Sequence, residues 1–172
     1  MLTRPAVVAR GRRADGFTLT EITTVVLILG VLLLVGIPAF LGAKAKANDR
    51  SAQASLRHTY SNAKTILADT DTYAGVTVAS LAKAETSLDF TAGDSDGPGT
   101  VSVDGSAAGL VLAARSQTGI CFALGDADNR VGTVFQNLGP FAHCKASLVP
   151  ALPASPPTAE TAAPAGGWAR SF

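Results

Sequence analysis

Aromatic and titratable residues are scarce in this chain of 172 residues: Phe, Trp and Tyr together make up 6%, with one Trp, and there are only two Cys and two His. No Gly-x-Ser-x-Gly elbow, phosphate loop, dinucleotide fingerprint or Ser-His-Asp arrangement is present, so an enzyme is not expected. Net charge is missing too. Lys and Arg number 14 against 13 Asp and Glu, which excludes a nucleic-acid protein built on bulk electrostatics, and no direct nucleic-acid partner is expected. The length fits one ordinary domain, or a modest one with appendages, and not a multidomain enzyme. With 47% hydrophobic residues the chain is too apolar for wholesale disorder, yet a mean hydropathy of +0.29 is too low for a polytopic membrane protein. The apolar excess has to be local.

It lies between Ile22 and Ala43, where no Asp, Glu, Lys or Arg interrupts a run containing Val25 to Leu29 and Val31 to Val35. At 1.5 Å per residue a helix of this length spans about 33 Å, one bilayer crossing. A cleaved secretory signal is the competing reading, but signal cores run about 7 to 15 residues, and this run is longer. Arg4, Arg10, Arg12 and Arg13 precede it against a single Asp15, which orients the N-terminus to the cytoplasm; Lys44, Lys46 and Arg50 beyond the run weaken that bias. Residues after about 44 are then exported.

Glu21 is a carboxylate at the border of this run. Carrying a charge into hydrocarbon costs at least about 2.5 to 3.5 kcal/mol, so Glu21 either snorkels to water or needs a partner. The words around it decide between these. Arg12-Arg13-Ala14-Asp15-Gly16-Phe17-Thr18-Leu19-Thr20-Glu21, followed at once by the apolar run, resembles the processing site of type IV prepilins and of the related type II secretion pseudopilins.

The resemblance implies that a prepilin peptidase cuts after Gly16 and methylates the new amino terminus of Phe17, placing Glu21 near the start of the mature chain. It further implies that Gly30 and Pro38 are the helix-weakening pair that pilins often carry. Thr20 departs from the pattern, since an aliphatic residue is commoner there, and Thr23 and Thr24 make the first membrane turn more polar. The physics agrees with the resemblance: cleavage leaves a positive amine four residues before a carboxylate, and pairing between neighbouring chains neutralises both. The partners so implied are other copies of this chain and other pilins, the peptidase, the assembly platform with its ATPase, and the membrane. No cofactor is implied.

Gly30, Gly36 and Pro38 lower helix stability, and the stretch from Gly30 to Pro38 is where a kink or local melting is expected. Ala39, Ala43 and Ala47 recur every four residues and permit close helix approach. Beyond the membrane the pattern turns amphipathic, with Ala52, Leu56, Thr59 or Tyr60, Ala63 and Ile66 or Leu67 on one face. One helix is therefore expected from Phe17 to about Asp69, comprising an assembly half over 17–43 and an amphipathic half over 44–70, after a leader over 1–16.

A small head follows over 71–149. A short helix is expected over Val78 to Glu85. Strands are expected at Thr100 to Val103, Leu110 to Ala114, Ile120 to Leu124 and Val131 to Phe135, separated by Gly- and Asp-rich turns. The expected fold class is α+β: a long helix packed on a small antiparallel sheet, which is also the pilin layout the resemblance implies. So small a core calls for a staple. Cys121 and Cys144 both lie in the exported half, where disulfides persist, and a bond there closes a loop of the kind many pilins carry. A Cys-His metal site at His143 and Cys144, or a thiol nucleophile, is the poorer alternative, because structural zinc takes four ligands. Asp94 with Asp96, and Asp126 with Asp128, are weak calcium candidates without full EF-hand order, and no metal is expected.

After Val149 the Pro- and Ala-rich text over 150–172 reads as an extended or disordered tail, although Trp168 and Phe172 restore two aromatics that suit docking. The resulting expectation is a structural pilin of a surface filament, serving adhesion, twitching motility or another function of such fibres. The alternatives are a pseudopilin of a type II secretion or DNA-uptake system, and a bitopic exported binding module. Without residues 1–16 the chain carries 10 basic against 12 acidic residues, so the near-neutral balance averages a basic leader and a mildly acidic body.

Overall fold

Helix α1 runs from Leu19 to Thr70 in a computed structural model that describes residues 16–127, 131–161 and 166–172. Most of the leader lies outside the described residues. The chain divides into two units, Met1–Leu41 and Gly42–Phe172. Within the described part of the first, the backbone stays helical from Leu19 onward, Gly30, Gly36 and Pro38 included. The helix is thus continuous through the stretch where a kink or local melting is expected, with consecutive Val and Leu residues on either side of these weak points.

In the second unit, Ala52, Leu56, Thr59 and Ala63 are the buried residues of α1, at steps of four and three that place them on one stripe. Asp71 ends the helix in the left-handed region at φ 56°, and its amide donates to the Leu67 carbonyl at 2.8 Å. A single 3₁₀ turn, Tyr73–Gly75, leads to the short helix α2, Val78–Ala84, started by a reciprocal cap between Thr77 and Ser80.

Five strands follow: β1 (Asp89–Thr91), β2 (Thr100–Ser106), β3 (Gly109–Arg115), β4 (Ile120–Ala127) and β5 (Gly132–Pro140). They lie in sequence order in one sheet. The fold class is the expected α+β, with one correction: the sheet is mixed. The four long strands are antiparallel, while β1, missing from the expected set, pairs in parallel with β2. Three residues are too few for alternation to be visible in a sequence. The long strands also extend through the Gly and Asp positions expected to be turns, Asp104-Gly105 and Asp126-Ala127.

Alternation sorts the sheet into two faces. Val101, Val103, Leu110, Leu112, Ala114, Phe122 and Leu124 form the core under Leu56, Ala63, Tyr73 and Leu81. The opposite face buries Ala113 and Cys121 against Cys144 and Ala146. Cys121 and Cys144 are bonded, Sγ to Sγ at 2.02 Å, so the metal-site and nucleophile alternatives for Cys144 fall away.

The tail is corrected more substantially. Its described residues, 150–161 and 166–172, lie on the head. The amide and carbonyl of Ala169 exchange hydrogen bonds with those of Phe135 at 2.9 and 2.8 Å, and Ala169 is 0% exposed. Trp168 Nε1 donates to the Ala151 carbonyl at 3.0 Å. The Phe172 ring packs edge-on to Phe122 and Phe135, with centroids 5.5 and 4.8 Å away. Pro-rich composition forbids regular pairing along the segment, but two aromatic side chains and one edge backbone pair suffice to dock it.

Candidate functional site

Gly16 and Phe17 precede α1, and Phe17 is 77% exposed. Thr18 stands at the N-cap position. Its Oγ1 accepts from the Glu21 amide at 3.2 Å, and it also lies 3.5 Å from Glu21 Oε2. Thr18 and Glu21 thus have the spacing of a capping box, with the Glu21 side chain facing the Thr18 hydroxyl. The polarity of Thr23 and Thr24 is absorbed locally: both hydroxyls donate to the Thr20 carbonyl, at 3.0 and 2.8 Å, and so present no unsatisfied donor to an apolar surrounding.

From Ile22 to Leu41 the large apolar side chains are exposed, Val25 to Leu29 at 48 to 68%. This is one helix long and apolar enough to cross a membrane, and none of its most apolar 18-residue window is buried among the described residues. An apolar surface of this extent in water is unfavourable; a bilayer or neighbouring helices would relieve it.

The second constellation is one that reading the sequence did not assemble. Asp126, on β4, is 4% exposed. Its Oδ2 accepts from Tyr60 OH at 2.5 Å, from Tyr73 OH at 2.5 Å and from Lys64 Nζ at 2.7 Å. Lys64 Nζ also donates to Tyr73 OH at 2.9 Å, and Thr133 Oγ1 donates to Tyr60 OH at 2.8 Å. Burial pushes the Asp126 carboxyl up, but the hydrogen bonds from Lys64, Tyr60 and Tyr73 and the charge of Lys64 outweigh it, holding the pKa below the usual range. Lys64 responds oppositely: burial lowers it, and the bonds to Asp126 and Tyr73 more than restore it, so its pKa is raised. Burial and the adjacent Asp126 charge raise both tyrosines. All five side chains are joined in one hydrogen-bonded network, and the cluster is an anchor of α1 to the sheet.

Asp126 is thereby corrected from a turn carboxylate to a buried strand residue with its charge engaged. Of the other calcium candidates, Asp94 Oδ2 lies 2.9 Å from His143 Nδ1, Asp96 is exposed on the same turn, and Asp128 lies outside the described residues. Among the described residues no three His, Cys, Asp or Glu side chains are grouped to hold a metal.

The disulfide loop is tied down by two serines. Ser95 donates its amide to the Cys144 carbonyl at 2.8 Å, and its hydroxyl accepts from the Arg115 amide at 2.8 Å. Ser102 Oγ accepts from the Ala146 amide at 2.9 Å and donates to the Gly93 carbonyl at 2.7 Å. The Arg115 guanidinium reaches the carbonyls of Phe141 and Ala142. Asp49 on α1 accepts from Ser116 and Thr118, at 2.7 and 2.5 Å, at the turn between β3 and β4.

No family profile, curated protein or solved structure matches this chain.

Proposed function

We propose that this chain is a type IV pilin-like structural subunit, made as a single-pass membrane precursor with its N-terminus in the cytoplasm. It is cleaved after Gly16, N-methylated at Phe17 and polymerised through α1 into a surface filament. The observation that carries this reading is the pairing of the Gly16-Phe17-Glu21 wording with an unbroken apolar helix whose large apolar side chains are left exposed by the described residues. In the polymer, neighbouring helices replace lipid around residues 22–41, and the Glu21 carboxylate meets the amine of an adjacent Phe17. A charge pair at the edge of hydrocarbon selects one register, because any other leaves both charges unpaired.

The head is then the displayed part, and its role is structural and not catalytic. The disulfide-closed loop supports the pilus over the secretion pseudopilin, whose C-terminal loop is expected to hold calcium; here Asp126 is consumed by the α1 anchor. The test is mass spectrometry of the chain from its native cell. An N-terminus at methylated Phe17 is expected, and an intact Met1 start, or cleavage after Ala43, overturns the proposal.

A further inference from the structure

Residues 166–172 occupy a groove that has the features of a peptide-docking site. β5 is the outermost strand at its end of the sheet, and Phe135, on it, exchanges two backbone hydrogen bonds with Ala169. Side-chain contacts flank this pair on both faces of the sheet. On one face, Gln136 Nε2 donates to the Gly166 carbonyl at 2.9 Å. On the same face Leu152 and Trp168 fill the space above Gly125, where an added Cβ would clash with the Leu152 Cδ2 and lie 3.1 Å from the Trp168 ring. On the other face, Phe172 packs on Phe122 and Phe135, and the Arg57 guanidinium of α1 lies over the Phe135 and Phe172 rings at 5.7 and 5.5 Å. Main-chain pairing at an edge with side-chain pockets on either side is the physics of strand addition by an extended peptide.

We propose that this groove is an exchangeable docking site, and that a second copy of this chain fills it with its own residues 166–172. The contacts are the same whether the segment comes from its own head or from a neighbour's, so the partition between the two depends only on effective concentration. In a dilute monomer the tethered segment wins. Where heads are crowded side by side, a neighbour's segment competes on equal terms and links one head to the next. All the contacts lie within residues 42–172, so the proposal stands or falls separately from the filament reading.

Two measurements on the detergent-solubilised chain test it. The first uses the variant lacking residues 166–172 and a synthetic peptide, Gly-Gly-Trp-Ala-Arg-Ser-Phe. The truncated chain is expected to bind the peptide and the intact chain to bind it far more weakly. Peptides carrying Ala169→Pro, which cannot complete the edge pair, or Phe172→Ala are expected to lose at least about tenfold in affinity. No binding by a truncated chain of native circular dichroism, or equal binding of the proline peptide, overturns the groove. If the truncated chain misfolds, the full-length Ala169→Pro variant serves as the receptor instead. The second measurement mixes a Phe135→Cys chain with an Ala169→Cys chain, with the doubly substituted chain as a geometric control. Concentration-dependent disulfide dimers in the mixture are expected. Only monomers in the mixture, while the double variant closes its intrachain bond, show that the segment never leaves its own head.

Discussion

Lys64 Nζ, on α1, lies 2.7 Å from Asp126 Oδ2, on β4, in a pair whose carboxylate is buried and whose amine is half in water. That asymmetry predicts unequal costs. Lys64→Met leaves a carboxylate sealed in the head with no counter-charge, and about 3 kcal/mol of stability is expected to be lost. Asp126→Asn leaves a lysine that still reaches solvent and an amide that still accepts from the tyrosines, at a cost of about 1 to 2 kcal/mol. Denaturant midpoints of the two variants decide the point, and an Asp126→Asn cost exceeding that of Lys64→Met would contradict the assignment.

The same cluster sets the pH response. The folded pKa of Asp126 is depressed, so its contribution to stability is present above the usual carboxylate pKa of about 4 and is lost as pH falls through the folded value. The pKa values of Tyr60, Tyr73 and Lys64 are raised, so their contribution is full below about pH 10, where the unfolded groups begin to titrate, and is lost as pH rises. A stability plateau between these limits is expected. In Asp126→Asn both limbs should shrink, because the carboxylate is gone and no longer raises the tyrosines and Lys64, as read from thermal melts at fixed ionic strength.

Cys121 and Cys144 close a loop with a sequence separation of 23. Replacing both with Ser is expected to cost about 3 to 4 kcal/mol, most of it through the larger freedom of the unfolded chain. Added reductant should lower the melting temperature of the wild type and leave that of the double variant unchanged.

Trp168 is the chain's single tryptophan and sits against Gly125, which makes its fluorescence a direct reporter of the docked segment. Gly125→Ala puts a methyl group into the space held by Leu152 and Trp168. A red-shifted emission is expected as Leu152 and the Trp168 ring give way, with the core under α1 retained by circular dichroism. Unchanged emission would mean that the segment tolerates the methyl and that the groove is looser than its geometry implies.

At Glu21 the observed contact with Thr18 and the proposed pairing with an amine are separable. Glu21→Gln keeps the residue type that a capping box accepts at this position, while removing the charge. The variant is expected to insert into the membrane and keep its helix, yet to fail to enter filaments. Thr18→Ala should behave in the opposite way, fraying the first turn at a cost of about 1 kcal/mol with little effect on pairing. Normal filaments from Glu21→Gln, seen by electron microscopy, would leave the cap as its only role.

Much of this protein was determined by its sequence alone, because the governing signals are local. An uninterrupted apolar run from Ile22 to Ala43 sets a helix whatever surrounds it, and the three- and four-residue steps through Ala52, Leu56, Thr59 and Ala63 mark its buried stripe without reference to the sheet. Two cysteines leave one intrachain pairing. What only the tertiary structure decided are the contacts made across long stretches of chain. Asp126 is 66 residues from Tyr60 and 53 from Tyr73, and from its neighbours alone it reads as a turn carboxylate; burial beside a lysine and two tyrosines makes it an anchor. The tail follows the same logic. Its composition excludes a core of its own, but the edge of β5, the gap at Gly125 and the rings of Phe122 and Phe135 supply from outside the apolar surface it lacks.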